Sequence, residues 1–296
     1  MAELLAHPAI QAAIAPFIVA LAIALLFRRM GTISFGLAII GGFFTTVLLT
    51  TGLALQPLTS TRKIILVSLC LPFLLPLMEL SLRKISVINE RWQPVIMIAI
   101  PTVLLVVAIN WIIWPVLSRQ AISEAWPMLA RVSLYVGVLG VMFLGMARLK
   151  QPEKSAAQGA SIFALALGTA VTSMIAASAL YSQWAFSIVA AVGSLLLISL
   201  FRNPKIAVKQ GAGHLGIFGL FAAVVPLALI GAAATVYAQL SGGVLLCLAA
   251  IPLVAGWSAI KVERPWLRLV MTGLLALLPV IPAIWLAWRA ADSMGY

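Results

Sequence analysis

The feature that most constrains this chain is the recurrence of apolar runs, each about 18 residues or longer, along its whole length. An α-helix of that length crosses a hydrocarbon layer about 30 Å thick. Charged residues make up only 9% of the 296 residues, whereas a soluble domain carries about 25%. The sequence therefore predicts an all-α polytopic bundle of transmembrane helices, a single membrane domain over residues 1–296 with no soluble domain.

Ten apolar runs are predicted to span the membrane. The predicted spans are 8–27, 33–54, 64–82, 94–118, 127–147, 158–181, 184–201, 214–240, 243–260 and 267–289. The links at 181–184 and 239–242 are short, and a re-entrant pair at either link would lower the count to eight or nine.

Lysine and arginine alternate in density from one link to the next. The links after the odd-numbered spans hold Arg28, Arg29, Arg83, Lys84, Arg91, Arg148, Lys150, Lys154, Arg202, Lys205, Lys209, Lys261, Arg264 and Arg268, most of the 19 basic residues. Because cytoplasmic loops carry an excess of Lys and Arg, these links are predicted to be cytoplasmic. Both termini are then predicted to lie on the outer side of the cytoplasmic (inner) membrane. The net charge of +12 is thereby explained, and no nucleic-acid partner is expected.

Tryptophan and tyrosine residues near the predicted outer ends are interpreted as interfacial anchors. They are Trp111, Trp114, Trp126, Tyr181, Trp184, Tyr237, Trp285 and Trp288. Cys70 and Cys247 fall within apolar runs and are interpreted as small core residues rather than as a disulfide or metal pair.

The ten predicted spans divide into two halves of five, residues 1–150 and 155–296. Because five is odd, a duplicated half would cross the membrane in the opposite direction, so the sequence predicts an inverted repeat. Overlaying the halves matches Pro72 and Pro76 with Pro226, and Pro101 with Pro252. Prolines interrupt helices, and matched interruptions at mid-membrane depth are typical of a substrate site. In size and helix count the chain resembles the drug/metabolite transporter superfamily, although it carries no motif specific to it.

Span six combines small and hydroxyl-bearing residues on one face, among them Gly168, Thr172 and Ser173. Such faces let helices approach closely in lipid and supply hydrogen bonds. These three residues and the five prolines are the predicted lining of a solute cavity formed by spans three, four, six, eight and nine.

Few residues within the spans could carry chemistry. Glu79 is the one acidic residue in an apolar run, and Arg83 four residues later favours an ion pair over a proton site. Asn110 is the one amide well within a span and is interpreted mainly as an interhelical hydrogen-bonding group. His7 and His214 cannot pair inside the membrane, and Asp292 is the single aspartate, so no metal site, cofactor or catalytic residue is predicted.

Two functions remain open at this stage. The first is a carrier or permease for a small neutral or lipophilic solute, with Glu79 and Asn110 as additional cavity candidates. The alternative is a non-catalytic structural or assembly subunit of a larger membrane complex, whose small-residue faces bind other membrane subunits. Neither hypothesis makes the chain an enzyme. An intramembrane enzyme ranks third, with Glu79 as its one candidate residue.

Overall fold

The computed structural model describes residues 7–52, 56–84, 92–148, 152–201, 213–257 and 264–293. All regular structure within these ranges is helical. A π-helical turn at Ile10–Ile14 leads into α1. The described residues form twelve α-helices, which are α1 (Ala15–Leu26), α2 (Thr32–Thr50), α3 (Ser60–Cys70), α4 (Leu74–Lys84), α5 (Gln93–Leu117), α6 (Ile122–Arg148), α7 (Pro152–Ile175), α8 (Ala179–Phe201), α9 (Gly216–Tyr237), α10 (Gly242–Trp257), α11 (Pro265–Leu277) and α12 (Val280–Ser293).

Eight segments in the described part of the chain are long and apolar enough to cross a membrane. The helical segments Ile10–Leu26 and Gly242–Trp257, which correspond to the first and ninth predicted spans, are also apolar but shorter. At 1.5 Å per residue each would reach about 25 Å, slightly less than a typical hydrocarbon core. The prediction of a multi-pass helical membrane protein is thus supported, whereas the count of ten spans is not established by helix length.

Two of the predicted spans are broken. Span three is divided into α3 and α4 by a 3₁₀ turn at Leu71–Phe73, which contains Pro72. Span ten is divided into α11 and α12 just before Val280. By contrast, Pro101, Pro226 and Pro252 lie inside continuous helices, so the predicted interruption is wrong at these three positions. A proline removes only one intrahelical hydrogen bond, and packing on all sides can keep the helix continuous.

Hydrogen bonds assemble one set of helix ends, here called the Tyr237 end. Gln11 near the start of α1 donates to the carbonyl oxygen of Leu49 in α2, and Trp184 near the start of α8 donates to Thr50. The end of α9 meets the start of α3 and the end of α5 in the same way. At the opposite end, the Gly213 end, Gly213 approaches the beginnings of α7 and α11. This grouping of helix ends is the one that the alternation of basic links predicts.

Helix α9 forms the centre of the bundle, and 19 of its 22 residues are buried. It contacts α2, α3, α6 and α7, and no face of it is left for lipid. A helix that is apolar all round is stable only in such a position. Close approach depends on glycine: a Cβ at Gly36 of α2 would lie 2.2 Å from the Phe218 ring of α9.

The predicted inverted repeat is not confirmed by the helix contacts. In the overlay of halves, α9 corresponds to the broken span that contains α3 and α4. Helix α9 packs extensively on α2 and α6, but among the described residues no comparable contact joins α3 to α8 or to α12, as the repeat would require. The two halves are therefore packed differently.

Three interpretations of single residues are wrong. Tyr181 is 7% exposed and therefore buried rather than an interfacial anchor. Trp184 is fully buried rather than interfacial, with its ring edge against Phe43 at a centroid distance of 6.0 Å. Cys70 is exposed on the outside of the bundle rather than in the core. These errors arise because an apolar run does not indicate which side of its helix faces the other helices.

Candidate functional site at the Tyr237 end

The main candidate site is a cavity of about 700 Å³ at the Tyr237 end, here called the vestibule. Its walls come from α3, α7, α8, α9 and α12 and from the turns that follow α7 and α9. The polar groups on the walls are those of Thr61, Ser178, Tyr181, Tyr237 and Gln239. This volume suits a small organic molecule.

Two strained residues frame the vestibule. Ala177, after the last turn of α7, has φ 58°, and Gln239, after the last turn of α9, has φ 54°. The left-handed region is unfavourable for residues with a Cβ, although it satisfies the last carbonyl groups of a helix. After α7, the Ser178 N–H donates to the Ser173 carbonyl oxygen at 3.0 Å. Both helices therefore end abruptly at the cavity wall instead of extending past it.

One wall is fixed by hydroxyl groups. The Tyr237 hydroxyl oxygen lies 2.7 Å from the Ser60 hydroxyl oxygen and 3.1 Å from the Ile112 carbonyl oxygen. The Ser60 hydroxyl itself donates to the Ile112 carbonyl oxygen at 3.2 Å. These bonds join α9, α3 and α5 on one side of the vestibule.

Tyr181 adds aromatic surface to the vestibule beside Tyr237 and Thr61, and Trp184 packs behind it. The Tyr181 ring contacts the Trp184 ring at a centroid distance of 6.1 Å, and Trp184 Nε1 donates to Thr50 Oγ1 at 3.2 Å. The vestibule thus combines hydroxyl groups with apolar ring and methyl surface, a mixture that suits an uncharged amphiphilic solute.

The residues that line the vestibule are uncharged, and the cations Arg62 and Lys63 lie at this end without lining it. Arg62 donates to the Pro57 carbonyl oxygen at 2.7 Å, and Lys63 lies 4.3 Å from the centre of the Trp111 ring. In the part of the chain that the structure describes, the buried side chains with polar groups are those of Ser, Thr, Gln, Tyr and Trp, and no charged side chain is buried. An ion would therefore find no buried counter-charge among these residues.

Below the vestibule, three buried hydroxyl groups have no hydrogen-bond partner among the described residues: those of Tyr135 in α6 and of Thr169 and Ser173 in α7. Thr169 is the polar neighbour of the Tyr135 hydroxyl, but the pair does not meet hydrogen-bonding geometry. The buried hydroxyl groups of Ser68 and Thr102, elsewhere in the bundle, are also unpartnered. Each such group costs about 1–3 kcal/mol.

The predicted face of span six is divided between two roles. A Cβ at Gly168 would lie 2.8 Å from Leu248 and 3.2 Å from Val280, so Gly168 is a packing position against α10 and α12. The Thr172 hydroxyl donates to the Gly168 carbonyl oxygen at 2.7 Å and is satisfied within its own helix. Ser173 alone of the three has an unpartnered hydroxyl.

Asn110 is an interhelical hydrogen-bonding residue, as interpreted from the sequence: Ser133 of α6 donates to its Oδ1 at 3.3 Å. Glu79 is half-buried in α4. The side chain of Arg83 lies outside the described part of the chain, so the proposed Glu79–Arg83 ion pair stays a prediction.

The predicted proline-lined cavity does not coincide with the cavities that are described. Besides the vestibule, a cavity of about 540 Å³ lies between α1, α2 and α8 at the Gly213 end, and one of about 490 Å³ lies between α6 and α10. None of the three is lined by Pro72, Pro76, Pro101, Pro226 or Pro252. Of the five spans expected to form the cavity, spans three, six and eight contribute to the vestibule. Spans seven and ten, which were not expected, supply the rest of its walls.

No group of three or more His, Cys, Asp or Glu residues that could hold a metal ion occurs within the described residues. His214, just before α9, is half-buried, and burial lowers the pKa of its imidazole.

The sequence-based reasoning missed Thr61, Tyr135, Tyr181 and Tyr237 as site residues. The positions of Tyr181 and Tyr237 near span ends predict interfacial anchors, and Tyr135 is a lone residue in an apolar run. No spacing pattern links them, because they come together only through the packing of α3, α6, α8 and α9. No known protein-family model matches this chain, and no curated protein matches it at a significant level.

Proposed function

We propose that this protein is a carrier of the cytoplasmic membrane for a small uncharged solute that has both a polar group and an apolar body. The observation that carries the proposal is the vestibule, whose neutral hydroxyl and aromatic walls surround about 700 Å³. The lack of buried charge among the described residues favours an uncharged solute over an ion.

In this proposal the ten apolar segments all cross the bilayer, and the Tyr237 end faces outward. The basic links then lie at the cytoplasmic surface, as the distribution of Lys and Arg favours. Single cysteines placed at Gln120 and Gly31, after replacement of Cys70 and Cys247, test the orientation. An impermeant maleimide added to intact cells should label the cysteine at 120 and not that at 31; the reverse pattern contradicts the orientation.

Transport itself is tested by uptake and counterflow in proteoliposomes with a panel of neutral metabolites. Ala176 and Ala238 line the vestibule, so Ala176→Trp or Ala238→Trp should fill it and lower the initial rate at least tenfold. Val103→Trp is the matched control, because Val103 is 59% exposed on the lipid side of α5. Absence of flux for every solute, or equal rates in all variants, would refute the carrier.

The second candidate, a non-catalytic subunit of a larger membrane complex, is favoured by the dense packing around α9. Pro226 and its neighbours in α9 are buried and line none of the three cavities. This is expected for a helix whose role is only structural. Purification from native membranes in mild detergent discriminates between the two. A stoichiometric partner together with absent flux supports the subunit, whereas a monodisperse, transport-active particle of this chain alone supports the carrier.

A further inference from the structure

Helices α7 and α9 pack against each other along a contact, here called the α7–α9 seam, that begins at the vestibule. The unpartnered hydroxyl groups of Thr169 and Ser173 lie on α7, and that of Tyr135 lies on α6, where Tyr135 also lines the cavity between α6 and α10. Thr169, Ser173 and Ala176 follow at intervals of four and three residues and therefore share one face of α7. Ala176 lines the vestibule. At 1.5 Å per residue, Thr169 lies about 10 Å deeper than Ala176 along the helix.

Helix α9 contributes a matching face. Gly231, Thr235 and Ala238 have the same spacing, and Ala238 also lines the vestibule. The hydroxyl of Thr235 donates to the Gly231 carbonyl oxygen at 3.1 Å, so it is satisfied. Gly231 approaches the Tyr135 hydroxyl so closely that a Cβ there would lie 2.7 Å from its oxygen. The two faces thus converge on the Tyr135 hydroxyl.

The unpartnered hydroxyl groups of these three residues are buried: Thr169 and Ser173 are 0% exposed and Tyr135 is 3% exposed. Each hydroxyl can donate one hydrogen bond and accept others, and none carries charge. A shared external partner, supplied by water or by a solute, would satisfy all three and remove the cost of leaving them unpaired.

We propose that Tyr135, Thr169 and Ser173 form a second, deeper binding site for the hydroxyl or carbonyl group of an uncharged solute, which the vestibule reaches when the α7–α9 seam opens. This site rests on the proposed carrier function and gives it a specific recognition chemistry. The apolar body of the solute would lie toward the alanine-lined entrance, and its polar group toward Tyr135.

Opening of the seam is tested without knowledge of the solute. In a background lacking Cys70 and Cys247, single cysteines replace Ser173 or Thr169, and right-side-out vesicles are treated with 2-aminoethyl methanethiosulfonate. The matched control is Ala233→Cys, because Ala233 is also fully buried but lies about 200° around α9 from Gly231. Cysteines at 173 and 169 should react at least tenfold faster than the control, and equal protection at all three positions would overturn the proposal.

The role of the Tyr135 hydroxyl is tested by Tyr135→Phe, assayed with the solute that the flux panel identifies. A solute-binding hydroxyl predicts at least tenfold slower transport with unchanged or higher thermostability in detergent. A hydroxyl that is only an unsatisfied structural group predicts higher thermostability with unchanged transport, which would overturn the site.

The two proposals fail in different ways. If no solute is transported, the carrier function fails regardless of the cysteine result. If wild-type flux is present but cysteines at 173 and 169 stay protected, the deeper site fails while the carrier function stands.

Discussion

The hydroxyl oxygen of Tyr237 lies 2.7 Å from that of Ser60 and so joins the last turn of α9 to the first turn of α3. Tyr237→Phe keeps the ring but removes this bond and the one to the Ile112 carbonyl oxygen. We expect it to lower the free energy of unfolding by at least about 0.6 kcal/mol, the average for one interhelical hydrogen bond in membranes. Reversible unfolding in SDS measures the loss. A double-mutant cycle with Ser60→Ala should give a similar coupling energy, and strictly additive effects would contradict the bond.

The contact between Gly231 and Tyr135 predicts a mutation whose effect depends on a second site. Gly231→Ala places a Cβ 2.7 Å from the Tyr135 hydroxyl oxygen and should destabilise the fold by about 1–3 kcal/mol through overpacking. In a Tyr135→Phe background the nearest ring carbons lie at 3.2 Å, so most of the loss should disappear. The same SDS titration checks this, and an equal loss in both backgrounds would show that the hydroxyl is not the atom in contact.

Gly168 packs α7 against α10 and α12 and should not tolerate a branched side chain. Gly168→Val directs its Cβ at Leu248 and Val280, and we expect a loss of about 1–3 kcal/mol together with poorer recovery in detergent. Gly145→Val is the control, because nothing lies within 4 Å of a Cβ at Gly145. Comparable losses in the two variants would mean that helix propensity, and not packing, sets the effect.

Trp184 should differ from the other tryptophans, because it is buried and hydrogen-bonded to Thr50. Trp184→Phe removes that bond and leaves a void against Phe43, for which we expect about 1–3 kcal/mol of destabilisation. Trp114 is 61% exposed, so Trp114→Phe should change stability by less than about 0.5 kcal/mol. Thermal unfolding in detergent ranks the two variants, and the opposite ranking would contradict the burial of Trp184.

His214 predicts a pH dependence of stability. Burial lowers the pKa of the folded imidazole below the ordinary value of about 6.5, so the unfolded chain binds more protons at mildly acidic pH. Stability should be unaffected by this group above pH about 6.5 and should fall as the pH drops below that value. His214→Gln should weaken the decline between about pH 6.5 and 5, measured as thermostability in detergent, and an unchanged profile would assign the dependence to other groups.

The sequence by itself determined the fold class of this chain, a bundle of apolar helices suited to a membrane. Apolar runs of membrane-spanning length leave no other fold class, because lipid requires every backbone group to bond within its own helix. The alternation of basic links also predicts which helix ends lie together, and the contacts of Gln11, Ser60 and Trp184 place them so. Both features follow from local composition, because apolar runs and basic residues can be counted along the chain without knowledge of the packing.

Only the tertiary structure decided which residues face one another. Trp184 and Trp114 are equivalent in sequence context, yet one is buried and the other faces outward. Pro72 lies in a break and Pro226 in a continuous helix, because the surroundings of each helix decide whether a lost hydrogen bond bends it. The meeting of Tyr135, Thr169 and Gly231 depends on the rotation of α6, α7 and α9 about their axes. In a chain whose helices are apolar on nearly every side, hydrophobic periodicity cannot fix that rotation, and close packing of small residues sets it instead.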